Sequence, residues 1–396
     1  MKLVSINTVC NGSTGKIMGS ISREAKNDGF EVFCIYGRRK GYTDIPCKKI
    51  GGPFSFLYHV FITTIFDAHG HGSYFKTKEL VRELKKINPD IIHLHNIHGY
   101  YINYKILFDY LRNEYQGKIF WTLHDCLPMT GHCAYFDYIH CDRWKMGCHD
   151  CPNKKKYPIS LVFDRSKKNY EEKKKLFADP RITIITPSIW LQDIVSKSFL
   201  KICNVKTINN GIDLEIFKPK KDETIYDKYN IPKDKKVILG VASIWEKRKG
   251  FDDFLSLADK ISDEYVIVLV GLNDRQIKEV ENYRNIIPIK RTENQVDLAT
   301  LYSLSYCLLN PTYEDNYPTV NIEALACHTR VVCYDTGGCV EQAKNRNVYL
   351  IKKQGKEENI KNILKTIYSL KEYQEYDTSL YSDKLFAKKI IEEYRK

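Results

Sequence analysis

The stretch Val237-Ile238-Leu239-Gly240-Val241-Ala242-Ser243-Ile244-Trp245-Glu246-Lys247-Arg248-Lys249-Gly250-Phe251 joins an apolar run, a cationic turn with a glycine, and the start of a helical pattern. Apolar residues on consecutive positions suit a strand buried on both faces, the usual state of a parallel sheet covered by helices. The same alternation repeats outward. Further strands are predicted over Tyr265–Val270, Ile286–Lys290, Tyr306–Leu309, Arg330–Tyr334 and Val348–Ile351, with helices such as Phe251–Ile261 and Gln295–Leu304 between them. Toward the N-terminus the runs are Leu3–Val9, Glu31–Tyr36, Asp90–Leu94, Lys118–His124, Ile182–Thr186 and Val205–Asn209. Strands separated by helix-length spacers are βαβ units, so the chain reads as two doubly wound α/β halves.

Turn formers and charge collect at Asn209-Asn210-Gly211-Ile212-Asp213 and Lys220-Lys221-Asp222-Glu223, where the periodicity pauses. The expected domains are therefore 1–210, including a cysteine-rich insertion at 126–152, and 211–381. A final amphipathic helix over 382–396, with Leu385, Phe386, Ile390 and Ile391 at helical spacing, is expected to pack back on the first domain. Ligand sites in such folds lie at the carboxyl ends of strands, here expected in a cleft across which the two domains face each other.

The 396 residues, 43% hydrophobic and 28% charged, can build a packed core, which excludes a fibrous or largely disordered chain. The N-terminus is too soon polar for a secretory signal, and no apolar run reaches the ~20 residues that span a bilayer. The expected location is the cytoplasm. Cys10, Cys34, Cys203, Cys307 and Cys333 each lie inside apolar runs and read as small buried hydrophobes of a reducing compartment. A net charge of +13 favours anionic partners. Nucleic acid is not expected among them, because no stripe of cations with interleaved aromatics stands out and the carboxylates of Asp315 and Glu323 would repel a phosphate backbone.

Three strand ends carry chemistry. Cys10-Asn11-Gly12-Ser13-Thr14-Gly15-Lys16-Ile17 is a glycine-bearing turn into a helix; it is neither a dinucleotide fingerprint nor a P-loop, and a purely structural turn explains it equally well. Phe120-Trp121-Thr122-Leu123-His124-Asp125 sets an imidazole beside a carboxylate, either as a functional pair or as a hydrogen-bonded structural histidine. Lys247-Arg248-Lys249-Gly250 places cations between strand and helix, which suits a departing diphosphate, although such a run is commonly a solvated face. A fourth stretch, Asn310 to Ala326, runs from strand through turn into helix and carries Asp315 and Glu323 eight positions apart. Asp315 falls in the turn and Glu323 about one helical turn beyond it, with backbone N–H groups from Asn316 to Thr319 between them. Such acceptors and donors suit sugar hydroxyls.

Taken together, the Gly15 turn, His124, Lys249-Gly250, the Asn210-Gly211-Ile212-Asp213 junction and the Asp315/Glu323 pair resemble the family-4 retaining glycosyltransferases of GT-B fold. The wording Thr122-Leu123-His124-Asp125-Cys126, Glu314-Asp315-Asn316-Tyr317-Pro318-Thr319 and Glu323-Ala324-Leu325-Ala326-Cys327 is similar to the bacterial enzymes that assemble capsule, exopolysaccharide and O-antigen units. The resemblance implies that Lys249, assisted by Arg248, holds a donor diphosphate, and that Glu323 binds the nucleoside ribose. Asp315 and the amides of Asn316, Tyr317 and Thr319 would grip the donor sugar. His124 would contact the transferring sugar, and Gly15 would let the first loop approach the donor. It further implies a UDP- or GDP-linked sugar as donor, no metal or other cofactor in catalysis, and a glycan or lipid-linked glycan as acceptor. Two departures stand out: Asp315, with Glu314 beside it, replaces the family's usual glutamate, and Ser243 stands where many members carry arginine. Nucleotide-sugar epimerases and phosphorylases share this architecture and are the alternative enzymatic readings.

Two features lie outside the resemblance. Cys133, Cys141, Cys148 and Cys151 include one C-x-x-C knuckle and could complete a structural zinc site, with His132, His140 and His149 as competing ligands. The segment Phe54–Phe66, flanked by Lys48, Lys49, Lys76 and Lys78, reads either as a peripheral surface helix for an anionic inner leaflet or as an ordinary core helix.

Overall fold

The computed structural model describes residues 1–396. The first domain is built from β1 (Lys2–Val9), α1 (Gly12–Asn27), β2 (Glu31–Arg38), β3 (Cys47–Lys49), α2 (Pro53–Phe66), α3 (Tyr74–Ile87), β4 (Ile91–Leu94), α4 (Tyr104–Asn113), β5 (Lys118–Thr122), α5 (Ser166–Phe177), β6 (Ile182–Thr186), α6 (Ile189–Ser196) and β7 (Asn204–Thr207). Its seven strands are parallel in the order β3-β2-β1-β4-β5-β6-β7. Both sheet faces are covered, one by Leu80, Leu107 and Phe177 among others, the other by Ile17, Ile21 and Phe386.

The second domain contains α7 (Thr224–Lys228), β8 (Lys236–Val241), α8 (Phe251–Ala258), β9 (Tyr265–Val270), α9 (Asp274–Val280), β10 (Ile286–Ile289), α10 (Gln295–Leu304), β11 (Cys307–Asn310), α11 (Thr319–Ala326), β12 (Val331–Tyr334), α12 (Cys339–Gln342), β13 (Val348–Ile351) and α13 (Lys356–Tyr368). Its six parallel strands run β10-β9-β8-β11-β12-β13. In each sheet the order reverses once, between β1 and β4 and between β8 and β11. Ligand-binding loops concentrate at such switch points because neighbouring connections leave on opposite faces and open a crevice.

The chain divides into compact units of 1–210 with 384–396, and 211–383. The last helix, α14 (Asp383–Arg395), inserts Phe386, Ile390, Ile391 and Tyr394 into the core of the first domain. The Tyr394 hydroxyl meets His93 Nδ1 at 2.5 Å, and Lys118 Nζ donates to the Tyr394 carbonyl at 2.9 Å. Gly211 is required where the chain returns: a Cβ there would lie 2.5 Å from Ser382 O and Asp383 Cα.

Differences from the sequence reading are local. Strand β3 was not expected: three residues with two lysines show no periodicity, and only pairing with β2 reveals them. Strand β5 stops at Thr122, leaving His124 in the bend beyond it. The core-helix reading of Phe54–Phe66 is overturned, because α2 buries only His59 and Thr63 and leaves four aromatic or aliphatic side chains on one face in solvent.

Residues 126–152 hold three 3-10 turns and no longer helix or strand. Tertiary contacts fix them. The ammonium of buried Lys173 donates to the carbonyls of Leu127 and Thr130 at 2.8 and 2.9 Å. His132 Nδ1 pairs with buried Asp67 at 2.5 Å. Phe136 stacks on Trp144.

Candidate active site

In the second domain the loops after β8 and β11 flank the switch point, and they are built into each other. After β8 a 3-10 turn over Lys247–Lys249 ends at Gly250, whose φ of +74° lies in the left-handed region. A Cβ at this position would stand 2.2 Å from the Pro311 carbonyl oxygen, so glycine is required by conformation and by contact. The Tyr313 amide donates to the Arg248 carbonyl at 2.7 Å. In return the Arg248 guanidinium donates to the Glu314 carbonyl at 2.6 Å while its other nitrogens hold Glu246.

This docking brings Lys249 Nζ to 2.5 Å from the Asp315 carboxylate, whose second oxygen accepts the Asn316 amide at 2.9 Å. Burial opposes charge on Asp315, but the Lys249 and Arg248 cations and the two hydrogen bonds outweigh it and hold the carboxyl below its ordinary range. The loop after β12 closes the other side. Cβ atoms on Gly337 and Gly338 would lie 1.9 and 1.8 Å from the carbonyl oxygens of Asp315 and Asn316.

Glu323 projects from the second turn of α11, half-buried, and accepts the Tyr302 hydroxyl at 3.0 Å. Helix α11 is set in place by a buried amide chain. Asn310 donates to Asn321, Asn321 to Gln342, and Gln342 to the Pro318 carbonyl, at 2.8, 2.8 and 3.1 Å. Tyr317 and Thr319 flank Pro318, both half-buried, on the turn that leads into the helix. Arg248, Lys249, Asp315 and Asn316 thus form one contiguous group, with Glu323 on the helix that follows.

In the first domain Gly15 lies in the first turn of α1. A Cβ there would come within 2.3 Å of the Cys10 backbone, so close packing of the helix on the end of β1 already demands a glycine. His124 follows β5 and joins a stack of imidazoles: its Nε2 is 3.1 Å from His95 Nδ1, and His95 lies over His93 with centroids 4.4 Å apart. Burial lowers the His124 pKa to about 4, so the ring is neutral at pH 7. Beside it His98 Nε2 lies 2.9 Å from Asp125 and His98 Nδ1 2.8 Å from the Tyr157 hydroxyl. His95, His98, His124 and Asp125 line one small cavity. Sequence reading had overlooked His95 and His98. The signal was the spacing His93-x-His95-x-x-His98 across the end of β4, at the switch point of the first sheet.

The four thiols of the insertion lie within electrostatic reach of one another. A hydrogen bond with Cys133 lowers the Cys151 pKa and raises that of Cys133, and Cys148 Sγ accepts the Gly131 amide at 3.1 Å. As the side chains stand, no group of three or more His, Cys, Asp or Glu residues is disposed to hold a metal ion.

Residues 221–378, which contain this whole second-domain arrangement, match the family described as Glycosyl transferases group 1. The second domain is a glycosyl transferases group 1 domain. Over 230 residues the chain is 26% identical to WcaC of Escherichia coli K12, named for colanic acid biosynthesis, covering 54% of this chain and 55% of that protein. Over 151 residues it is 28% identical to a Campylobacter jejuni N-acetylgalactosaminyltransferase named for N,N'-diacetylbacillosaminyl-diphospho-undecaprenol, covering 37% of this chain and 39% of that protein. The chain therefore spans about half, or less, of the length of these curated relatives. The fold is GT-B: the structure of Anabaena HepE in complex with UDP-glucose superposes with a TM-score of 0.67 at 14% identity, covering 100% of this chain and 99% of that one. Lys249 and Asp315 lie on loops of this domain, and Glu323 on helix α11.

Proposed function

We propose that this chain is a retaining glycosyltransferase that moves a hexose from a nucleoside-diphosphate sugar to a glycan acceptor in the synthesis of a bacterial surface polysaccharide. The observation that carries this reading is the Lys249–Asp315 pair, a cation and an acceptor held together within a glycosyl transferases group 1 domain, with Glu323 on the helix that follows. Lys249 neutralises charge developing on the departing diphosphate. Arg248, whose donors are engaged by Glu246 and Glu314, supports that lysine and shapes the turn. Asp315 and the amides of Asn316, Tyr317 and Thr319 bind the sugar, and Glu323 binds the ribose. His124, as a neutral imidazole, hydrogen-bonds the transferring sugar, with Gly15 allowing the first loop to approach the donor.

In the step proposed, the bond from the anomeric carbon to the donor phosphate oxygen breaks as the acceptor hydroxyl attacks from the same face. The hydroxyl proton passes to the leaving phosphate, so configuration is retained and no divalent cation is needed. UDP as the nucleotide and a lipid-linked glycan as acceptor are supported by the names of HepE's complex and of the Campylobacter relative. The epimerase, phosphorylase and nucleic-acid readings have no comparable support. For the insertion the reading is a structural zinc ion on Cys133, Cys141, Cys148 and Cys151, supported by the knuckle spacing and requiring the four thiols to close up from the positions they hold in the structure.

The test is release of nucleoside diphosphate from UDP- and GDP-sugars with and without acceptor. Acceptor-dependent release, lost by about 100-fold or more in Lys249→Ala and Glu323→Ala with the fold intact, is expected. Full activity in either variant overturns the assignment.

A further inference from the structure

Helix α2 is turned inside out. Its core-facing side chains are the polar His59 and Thr63, 1% and 0% exposed, whereas Phe54, Leu57, Tyr58 and Phe61 are 86%, 61%, 60% and 55% exposed. Positions i, i+3, i+4 and i+7 form one helical face, and the helix contains no charged residue. The polar side is satisfied inside: His59 accepts the Gly70 amide at 3.0 Å and meets Ser73 Oγ at 3.0 Å.

The apolar face continues beyond the helix. The amides of Leu161 and Phe163 donate to the carbonyls of Thr64 and Ile65 at 2.8 and 3.0 Å, laying this segment against the C-terminal end of α2. Phe163 stacks on Phe66 with centroids 5.6 Å apart, and Leu161, Val162 and Phe163 are all more than half exposed. At the other end a Ser55–Ser73 hydroxyl contact of 3.1 Å brings up the start of α3, where Phe75 is 81% exposed. A continuous patch of this kind marks an interaction surface.

Exposed cations flank it in the chain at Lys49, Lys78, Lys155, Lys156, Lys167 and Lys168; Lys78 lies over the Tyr74 ring, and Lys154 donates to the Val162 carbonyl at 3.0 Å. Of the nearby acids, Glu79 pairs with Lys76 and Glu83 with Lys48; Asp164, which accepts from Ser166 and the Cys151 amide, and Glu171 keep their charge and are outnumbered by the exposed cations. We propose that this face is a docking surface for an anionic lipid bilayer, with α2 lying in the headgroup plane and its aromatic side chains in the acyl boundary. An apolar centre with a cationic rim matches such a surface. A second copy of the chain would set like-charged rims against each other. At 14 residues α2 is about 21 Å long, too short to cross. Tyr157, 39% exposed beside this segment, reaches inward to His98 in the cavity that His124 lines, so the face borders the groups of the first domain assigned to the reaction. The inference rests on the transferase reading only for its purpose, delivery of a lipid-borne acceptor; the binding itself stands on the surface.

The test is co-sedimentation of the full chain with phosphatidylcholine vesicles with and without phosphatidylglycerol. Binding that requires the anionic lipid and weakens with salt is expected, reduced by about tenfold or more in Phe54→Ser/Leu57→Ser/Tyr58→Ser, with the melting temperature little changed because these side chains are 86%, 61% and 60% exposed. Lys155→Gln/Lys156→Gln is expected to weaken binding to anionic vesicles. Lys249→Ala is expected to bind as the parent does, so failure of the transferase reading leaves this result standing. Absence of binding to anionic vesicles, undiminished binding by the triple variant, or a solution dimer that the triple variant dissociates while no lipid binding occurs would each overturn the proposal.

Discussion

Lys249 and Asp315, 66 positions apart, form an ion pair of 2.5 Å. Each holds the other where a ligand would meet both. Replacing Asp315 by Asn removes the charge and keeps the shape, leaving a lysine without its counter-ion. The expected outcome is weaker selection among donor sugars and at least about a tenfold loss in kcat/KM. Kinetics with two sugars on one nucleotide check this, and equal selectivity in the variant would remove Asp315 from sugar recognition.

Gly250 is the hinge on which that pair depends. Alanine would strain a φ of +74° and drive a Cβ to 2.2 Å from the Pro311 carbonyl. Gly250→Ala is expected to cost on the order of 2 kcal/mol or more of stability and to lower activity by displacing Lys249. Thermal denaturation together with transfer assays reads both.

Buried neutral histidines set the acid limit of stability. Burial lowers His59 and His93 from 6.5 to about 3 and His124 to about 4. Between those values and 6.5 the unfolded chain binds protons that the folded chain refuses. Stability from these groups is therefore full above about pH 6.5, declines as pH falls through that window and levels off below it. For His93 alone the effect is on the order of a few kcal/mol. The urea midpoint should fall from pH 7 to pH 4, and His93→Gln should flatten the slope; an unchanged slope would contradict the burial argument.

The same shift predicts the form of the pH–rate profile. His124 stays neutral from pH 8 down to about 4, so kcat/KM should show no inflection near 6.5 from this residue. His124→Ala is expected to reduce the rate across the whole range without moving the profile. An inflection near 6.5 that disappears in the variant would assign His124 a proton-transfer role instead.

Elemental analysis tests the cysteine cluster. About one zinc per chain is expected, lost in Cys133→Ser together with several degrees of melting temperature. Stable protein free of metal would leave Lys173, His132 and Asp67 as the fastening of the insertion.

Much of the architecture was legible before any coordinates, because it rests on local signals. Apolar runs such as Val237–Val241 and Tyr265–Val270 are read from a few consecutive residues, and the parallel arrangement follows from helix-length spacers. The strand-end stretches containing Lys249, Asp315 and Glu323 were visible for the same reason: turn chemistry, charge and helix start lie side by side in the chain. The histidine cavity was not legible, since His95, His98, Asp125 and Tyr157 come from three separate stretches and each alone resembles a structural residue.

The sequence by itself determined the two doubly wound halves and the order of their loops, because backbone hydrogen bonding and hydrophobic period act over a few residues. Only the tertiary structure decided that Lys249 pairs with Asp315 and which side of α2 meets water. A helix as apolar as Pro53–Phe66 carries no internal mark of its outer face. Its orientation is set by distant partners, His59 with Gly70 and Ser73 on one side and Phe163 with Phe66 on the other, whose contacts exist only once the chain has folded.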